Sequence, residues 1–110
     1  MKDDRPYLLH IRDAAARILS YTAAGRDVFG GDPMAQDATI RNLEIIGEAA
    51  KNLSEATRSK RADIPWRQIA GMRDKLIHQY FGVNLELVWS TAEIEIPRLK
   101  MAIEELLGAW

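Results

Sequence analysis

The chain contains no cysteine and only two histidines. The first absence excludes a disulfide framework and any thiolate metal site. No apolar run approaches the length of a membrane span. The N-terminus, Met1-Lys2-Asp3-Asp4-Arg5-Pro6, is charged and leads into no secretory hydrophobic stretch. A cytoplasmic protein with no membrane contact is expected. Also missing are a glycine-rich phosphate cradle, the context of a serine triad, and a cluster of His and carboxylates at ligand spacing. No metal and no cofactor is therefore expected. An excess of one charge is lacking too, with 15 Lys and Arg against 16 Asp and Glu. Whole-protein electrostatics do not announce a nucleic-acid binder.

No segment alternates with the period of a half-buried strand, no repeat recurs, and no low-complexity tract appears. What remains is helix. A chain of 110 residues, 47% of them hydrophobic, is one domain with enough apolar side chain for a core. Asp3-Asp4-Arg5-Pro6 reads as an aspartate cap with proline in the first turn. Tyr7, Ile11, Ala14, Ile18 and Tyr21 then recur at helical spacing until Gly25. Phe29 is an expected buried tether in the connector that follows. Asp32-Pro33 repeats the start signal for a second helix carrying Leu43, Ile46, Ala50 and Leu53. Its small residues, Gly47, Ala49 and Ala50, would let a neighbour approach closely.

The stretch from Thr57 to Asp63 reads as a loop, and Ile64-Pro65-Trp66 as the opening of a short helical turn. Gly71 is expected to interrupt it, with another short helix running to about Phe81-Gly82. Asn84 can cap the last helix, in which Leu85, Val88, Ala92, Ile96, Leu99, Ile103 and Leu106 share a face. Pro97 inside that pattern should kink the helix rather than end it. The expected fold class is all-α: residues 1–110 as a single antiparallel helical bundle that finishes its burial by pairing.

Charge is uneven along the chain. From Lys51 to Lys75 seven basic residues face three acids, while from Asn84 onward five Glu face Arg98 and Lys100. The basic quarter is either a polyanion-facing surface or ordinary solvated helix and loop. It runs into Arg73-Asp74-Lys75-Leu76-Ile77-His78-Gln79-Tyr80, which gathers a fixed cation, a proton-transfer group and a phenol. An imidazole titrates near neutral pH, and a guanidinium offers a planar fork that fits a phosphate. Together they supply the minimum for metal-free transesterification of RNA. Residues five apart on a regular helix point about 140° away from each other, however. Either the backbone breaks near Gly71 or a second copy of the chain completes the site.

The same residues also have a plain structural reading. His78 could cap the last carbonyls of its helix, and Arg73 could pair with Asp74 or Glu48. His10, with no accompanying constellation, reads as helix-edge structure, and Trp66, Trp89 and Trp110 read as packing residues.

Arg73 through Tyr80, followed by Phe81-Gly82-Val83-Asn84-Leu85-Glu86-Leu87-Val88-Trp89, resembles the signature of the HepT-like family within the HEPN superfamily. So do Ile45-Ile46-Gly47-Glu48-Ala49 and Ile64-Pro65-Trp66. The resemblance runs from about Asp4 to Leu107. It implies a helical two-fold dimer, a metal-independent endoribonuclease toxin, and a minimal nucleotidyltransferase antitoxin that transfers AMP to the motif tyrosine. By position it implies Arg73 and His78 as catalytic residues and Tyr80 as the modified one; Glu48 is a candidate supporting partner of Arg73. The alternative is a non-catalytic HEPN dimer that binds nucleotide or protein.

Overall fold

A computed structural model describes residues 3–78 and 84–109; for residues 73 and 75–78 it describes the backbone alone. Among these residues there is no strand. The helices are α1 (Arg5–Tyr21), α2 (Arg26–Gly30), α3 (Pro33–Lys51), α4 (Glu55–Ser59), α5 (Trp66–His78), α6 (Leu85–Ser90) and α7 (Ile96–Gly108). A π-helical stretch, Thr91–Glu95, joins the last two. The all-α class is as expected.

α3 lies between α1 and α5, and α7 packs on α1. Of the residues at helical spacing in α1, Ile11, Ala14 and Ile18 are completely buried and Tyr7 and Tyr21 half-buried, with Leu8 and Ala15 completely buried beside them. Burying each of the large aliphatic side chains contributes about 1.5–3 kcal/mol. Across the seam, the Arg17 Nε donates to Asn42 Oδ1 at 2.8 Å, and Asn42 Nδ2 donates to the Ala38 carbonyl at 2.8 Å. These bonds satisfy an amide that is only 5% exposed. Gly47, Ala49 and Ala50 of α3 are all buried.

Local signals explain most boundaries. Gly25 adopts a φ of 101°, open to glycine without strain, where the chain turns from α1 into α2. Phe29 is buried, with its ring centroid 5.4 Å from that of Trp89, so the connector is tethered as expected. Asp32 Oδ1 accepts from the Ala35 amide at 3.1 Å, and Asn84 Oδ1 accepts from the Leu87 amide at 3.2 Å; both caps behave as their residue types predict.

Asp4 does not. It makes no cap bond; Asp3 Oδ1 instead accepts from the Arg5 amide at 3.0 Å. Asp4 is buried, and its Oδ2 accepts from the Ser54 amide at 3.0 Å, the Ser54 hydroxyl at 2.5 Å and the Thr57 hydroxyl at 2.6 Å. The start of α1 is thereby fastened to the start of α4. The loop expected from Thr57 to Asp63 therefore begins later, since Thr57–Ser59 belong to α4; Ser54 caps this helix by accepting from the Thr57 amide at 3.3 Å.

The interruption expected at Gly71 is absent. α5 is one helix of 13 residues, unbroken from Trp66 to His78. Gly71 is exposed, and a Cβ there would meet nothing within 4 Å, so neither close approach nor an unusual dihedral requires a glycine. At Pro97 the chain stays helical, as expected. The ring removes the amide that would bond the Glu93 carbonyl, and the π-helical stretch ends just before it. Thr91 Oγ1 donates to the Leu87 carbonyl at 2.7 Å at the start of that stretch.

Candidate active site

Arg73 and His78 both belong to α5. With about 100° per residue, the position of His78 falls in line with Arg67, Gly71 and Asp74, all of which are exposed. The position of Arg73 falls in line with Trp66, which is buried, and with the half-buried Ile69 and Ala70. The two backbone positions thus lie on different sides of one continuous helix. Their side chains, and the whole of Tyr80, lie outside the described residues, as does Trp110.

Trp66 fixes the start of α5. It is 7% exposed, and its Nε1 donates to the Arg58 and Arg61 carbonyls at 3.1 and 3.0 Å. This is the packing role expected of it, with the indole N–H satisfied by the preceding loop. Trp89 likewise packs, against Phe29. Along its other side α5 leaves an apolar groove of about 480 Å³, formed with Leu43 and Ile46 of α3, Ile69 and Met72 of α5, and Ile96 and Leu99 of α7.

The described arginines of the basic quarter differ in their partners. Arg61 makes a two-pronged contact with Asp63, Nε to Oδ1 and Nη2 to Oδ2, both at 2.9 Å, and also pairs with Glu105 of α7. Arg98 reaches Asp63 Oδ2 at 3.5 Å. The hydrogen bonds from Arg61, reinforced by the charge of Arg98, hold the Asp63 carboxyl down to about 2. Part of the basic quarter is therefore engaged in a clamp between this loop and α7, through Glu105 and Arg98. Arg67 is different: it is exposed and has no ion pair among the described residues. Arg58 is intermediate, with Nη2 at 3.6 Å from Glu55 Oε2 and a buried Nε that makes no hydrogen bond.

Glu48 is exposed and lines a separate groove with Tyr7, His10, Arg41 and Glu44. Its expected pairing with Arg73 involves a side chain outside those described. His10 is exposed on α1, in keeping with a helix-edge role. Among the described residues no group of three His, Asp or Glu is placed to hold a metal ion, and no helix is long and apolar enough to cross a membrane. The Asp4 cluster and the groove beside Arg67 were not singled out from the sequence. Ser54 and Thr57, three apart ahead of a basic run, were the available signal for the first.

The "Ribonuclease HepT-like" family profile matches residues 11–106, a span that includes the Arg73-to-Tyr80 segment. The chain belongs to the HepT-like family. It is 47% identical over 108 residues to "Putative RNase TTE0752" of Caldanaerobacter subterraneus subsp. tengcongensis, covering 97% of this chain and 96% of that one. It is 42% identical to the "Probable ribonuclease HepT" of Thermococcus cleftensis, covering 96% of each. A third relative, "Gamma-glutamylcyclotransferase and putative RNase MJ0434" of Methanocaldococcus jannaschii, is 45% identical over 107 residues, and the match spans 48% of that longer protein. No solved structure matches the chain.

Proposed function

We propose that this HepT-like chain is a metal-independent endoribonuclease whose site forms between two copies. The observation that carries this reading is that α5 is one unbroken helix, past Gly71 and on from Arg73 to His78. With no break in the helix, Arg73 and His78 of one copy are about 140° apart, poorly placed to converge on one phosphodiester. A two-fold axis running past α5 would set the arginine of one copy against the histidine of the other. The apolar groove between α3, α5 and α7 is the surface that the second copy would cover.

In the reaction, His78 of one copy takes the proton of a ribose 2′-hydroxyl, and that oxygen bonds to the adjacent phosphorus. The bond from phosphorus to the 5′-oxygen breaks, and the same His78, now protonated, gives that oxygen the proton. The products are a 2′,3′-cyclic phosphate and a 5′-hydroxyl. Arg73 steadies the charge that grows on the phosphoryl oxygens. As the HepT-like family implies, a nucleotidyltransferase antitoxin would silence the toxin by transferring AMP to Tyr80. The added group brings bulk and negative charge to the place where an RNA phosphate must lie.

Purified, unmodified protein incubated with RNA in excess EDTA tests the reading. Cleavage should persist, and His78→Ala and Arg73→Ala should each lower it by roughly 10²–10⁴-fold while leaving the melting temperature unchanged. Absence of cleavage by the unmodified wild type would instead favour a non-catalytic interaction module.

A further inference from the structure

Beside the first turn of α5 lies a shallow groove of about 460 Å³ whose polar lining comes from Glu55, Arg58, Ser59, Arg67 and Gln68, over a floor that includes Trp66. Nothing in the proposed transesterification uses it. Three observations mark it out. Arg67 is exposed and makes no ion pair among the described residues. Arg58 presents a half-exposed guanidinium whose Nε is buried without a hydrogen bond and whose one ion pair, to the exposed Glu55, is long at 3.6 Å. A loose pair of this kind in water is worth little and is readily exchanged for a stronger acceptor. The third observation is alignment. Arg67 and His78 are eleven residues apart on one unbroken helix, so their positions differ by only about 20° around the axis and by about 16 Å along it. The intervening positions on that line, Gly71 and Asp74, are exposed, and Gly71 adds no side chain to obstruct a strand.

We propose that this groove is a phosphate subsite for the substrate RNA, a few nucleotides from the scissile bond, with Arg67 as the positioning residue and Arg58 as its second cation. The inference rests on the ribonuclease reading above. Two guanidiniums against one carboxylate favour a polyanion. The strand would run along the exposed line of α5, and a phosphate entering the groove would displace Glu55 from Arg58. Neither arginine reaches the reacting atoms, so both act on binding rather than on the chemical step.

Substrate length provides the test. On a single-stranded oligoribonucleotide of about twelve nucleotides, Arg67→Ala should raise KM roughly three- to tenfold with kcat unchanged, and Arg67→Lys should recover most of the loss. On a dinucleoside phosphate, too short to reach the groove, Arg67→Ala and wild type should be equal. Glu55→Gln should act in the opposite direction, lowering KM on the long substrate about twofold by releasing Arg58. Equal losses on both substrates, or no loss on the long one, would overturn the subsite. Binding separates this failure from failure of the nuclease reading. In a His78→Ala background, the affinity for a labelled twelve-nucleotide strand should fall with salt less steeply once Arg67 is also replaced, by about 0.7 in the log–log slope. An unchanged slope rejects the subsite even if the protein cleaves RNA, and a reduced slope in a protein that cleaves nothing would uphold RNA binding here while rejecting the nuclease.

Discussion

The helices on either side of α3 are packed very differently. α1 has five completely buried residues, contacts both α3 and α7, and is fastened at its start by Asp4 and along its length by Arg17 and Asn42. α5 packs chiefly on α3, and Trp66 is the one buried side chain among those described in it. Between α5 and α7 the surface is an apolar groove rather than a closed seam. The contrast teaches a division of labour. α1, α3 and α7 supply most of the buried side chains of the subunit, while α5 is anchored by Trp66 and its other described side chains are half-buried or exposed.

Substitutions of equal size on the two helices should show the contrast most strongly. Ile11→Ala in α1 removes a completely buried side chain and should cost about 2–5 kcal/mol in urea unfolding. Ile69→Ala, half-buried in α5, should cost well under half of that when measured at concentrations too low for copies to associate. Comparable losses at the two sites would mean that α5 is as much a part of the subunit core as α1.

Gly71→Ala is the next largest change, and its sign is informative. A glycine within an exposed helix weakens it, and here a Cβ meets nothing, so alanine should stabilise by about 0.5–1 kcal/mol. Thermal unfolding would read this directly. Destabilisation would mean that α5 needs a break at that point after all.

The smallest effect concerns the clamp that joins the loop before α5 to α7. Asp63 ionises at about 2 in the fold, below its ordinary value of 3.8. A lowered carboxyl contributes stability that is present above the ordinary value and is lost as pH falls toward the folded one. Asp63→Asn should therefore cost a small amount of stability at pH 5–7, and the difference from wild type should shrink between about pH 4 and pH 2. Because Asp63 is solvent-exposed, added salt should diminish the difference as well.

Much of this architecture was legible along the chain because the signals are local. Asp32 and Asn84 cap the helices they precede, and the apolar spacing of α1 and α7 names their buried faces. The misreadings have physical causes. Asp4 looks like a cap because its partners, Ser54 and Thr57, lie 50 and 53 residues away. Gly71 looks like a breaker because glycine is a poor helix former, but a cost near 1 kcal/mol is outweighed by packing elsewhere in α5. At the candidate site, the residue types of Arg73, His78 and Tyr80 point to phosphoryl chemistry, whereas sequence spacing alone does not say whether one copy or two would complete it. A symmetry mate leaves no mark on the sequence beyond an apolar surface. The groove at Arg67 is not legible in the sequence, because an arginine in a basic stretch looks the same whether or not it pairs with a carboxylate as Arg61 does.

If the cation of one copy works with the imidazole of another, two inactive variants should restore each other's activity when mixed. Arg73→Ala and His78→Ala subunits, allowed to exchange, form hybrids in half of the dimers, and each hybrid holds one intact site if the site spans two copies. RNA cleavage should then recover to about a quarter of the wild-type rate. If Arg73 and His78 of the same copy form the site, every hybrid lacks one or the other in each subunit. Activity that stays at the level of the separate variants, in mixtures where hybrids have demonstrably formed, would contradict the account.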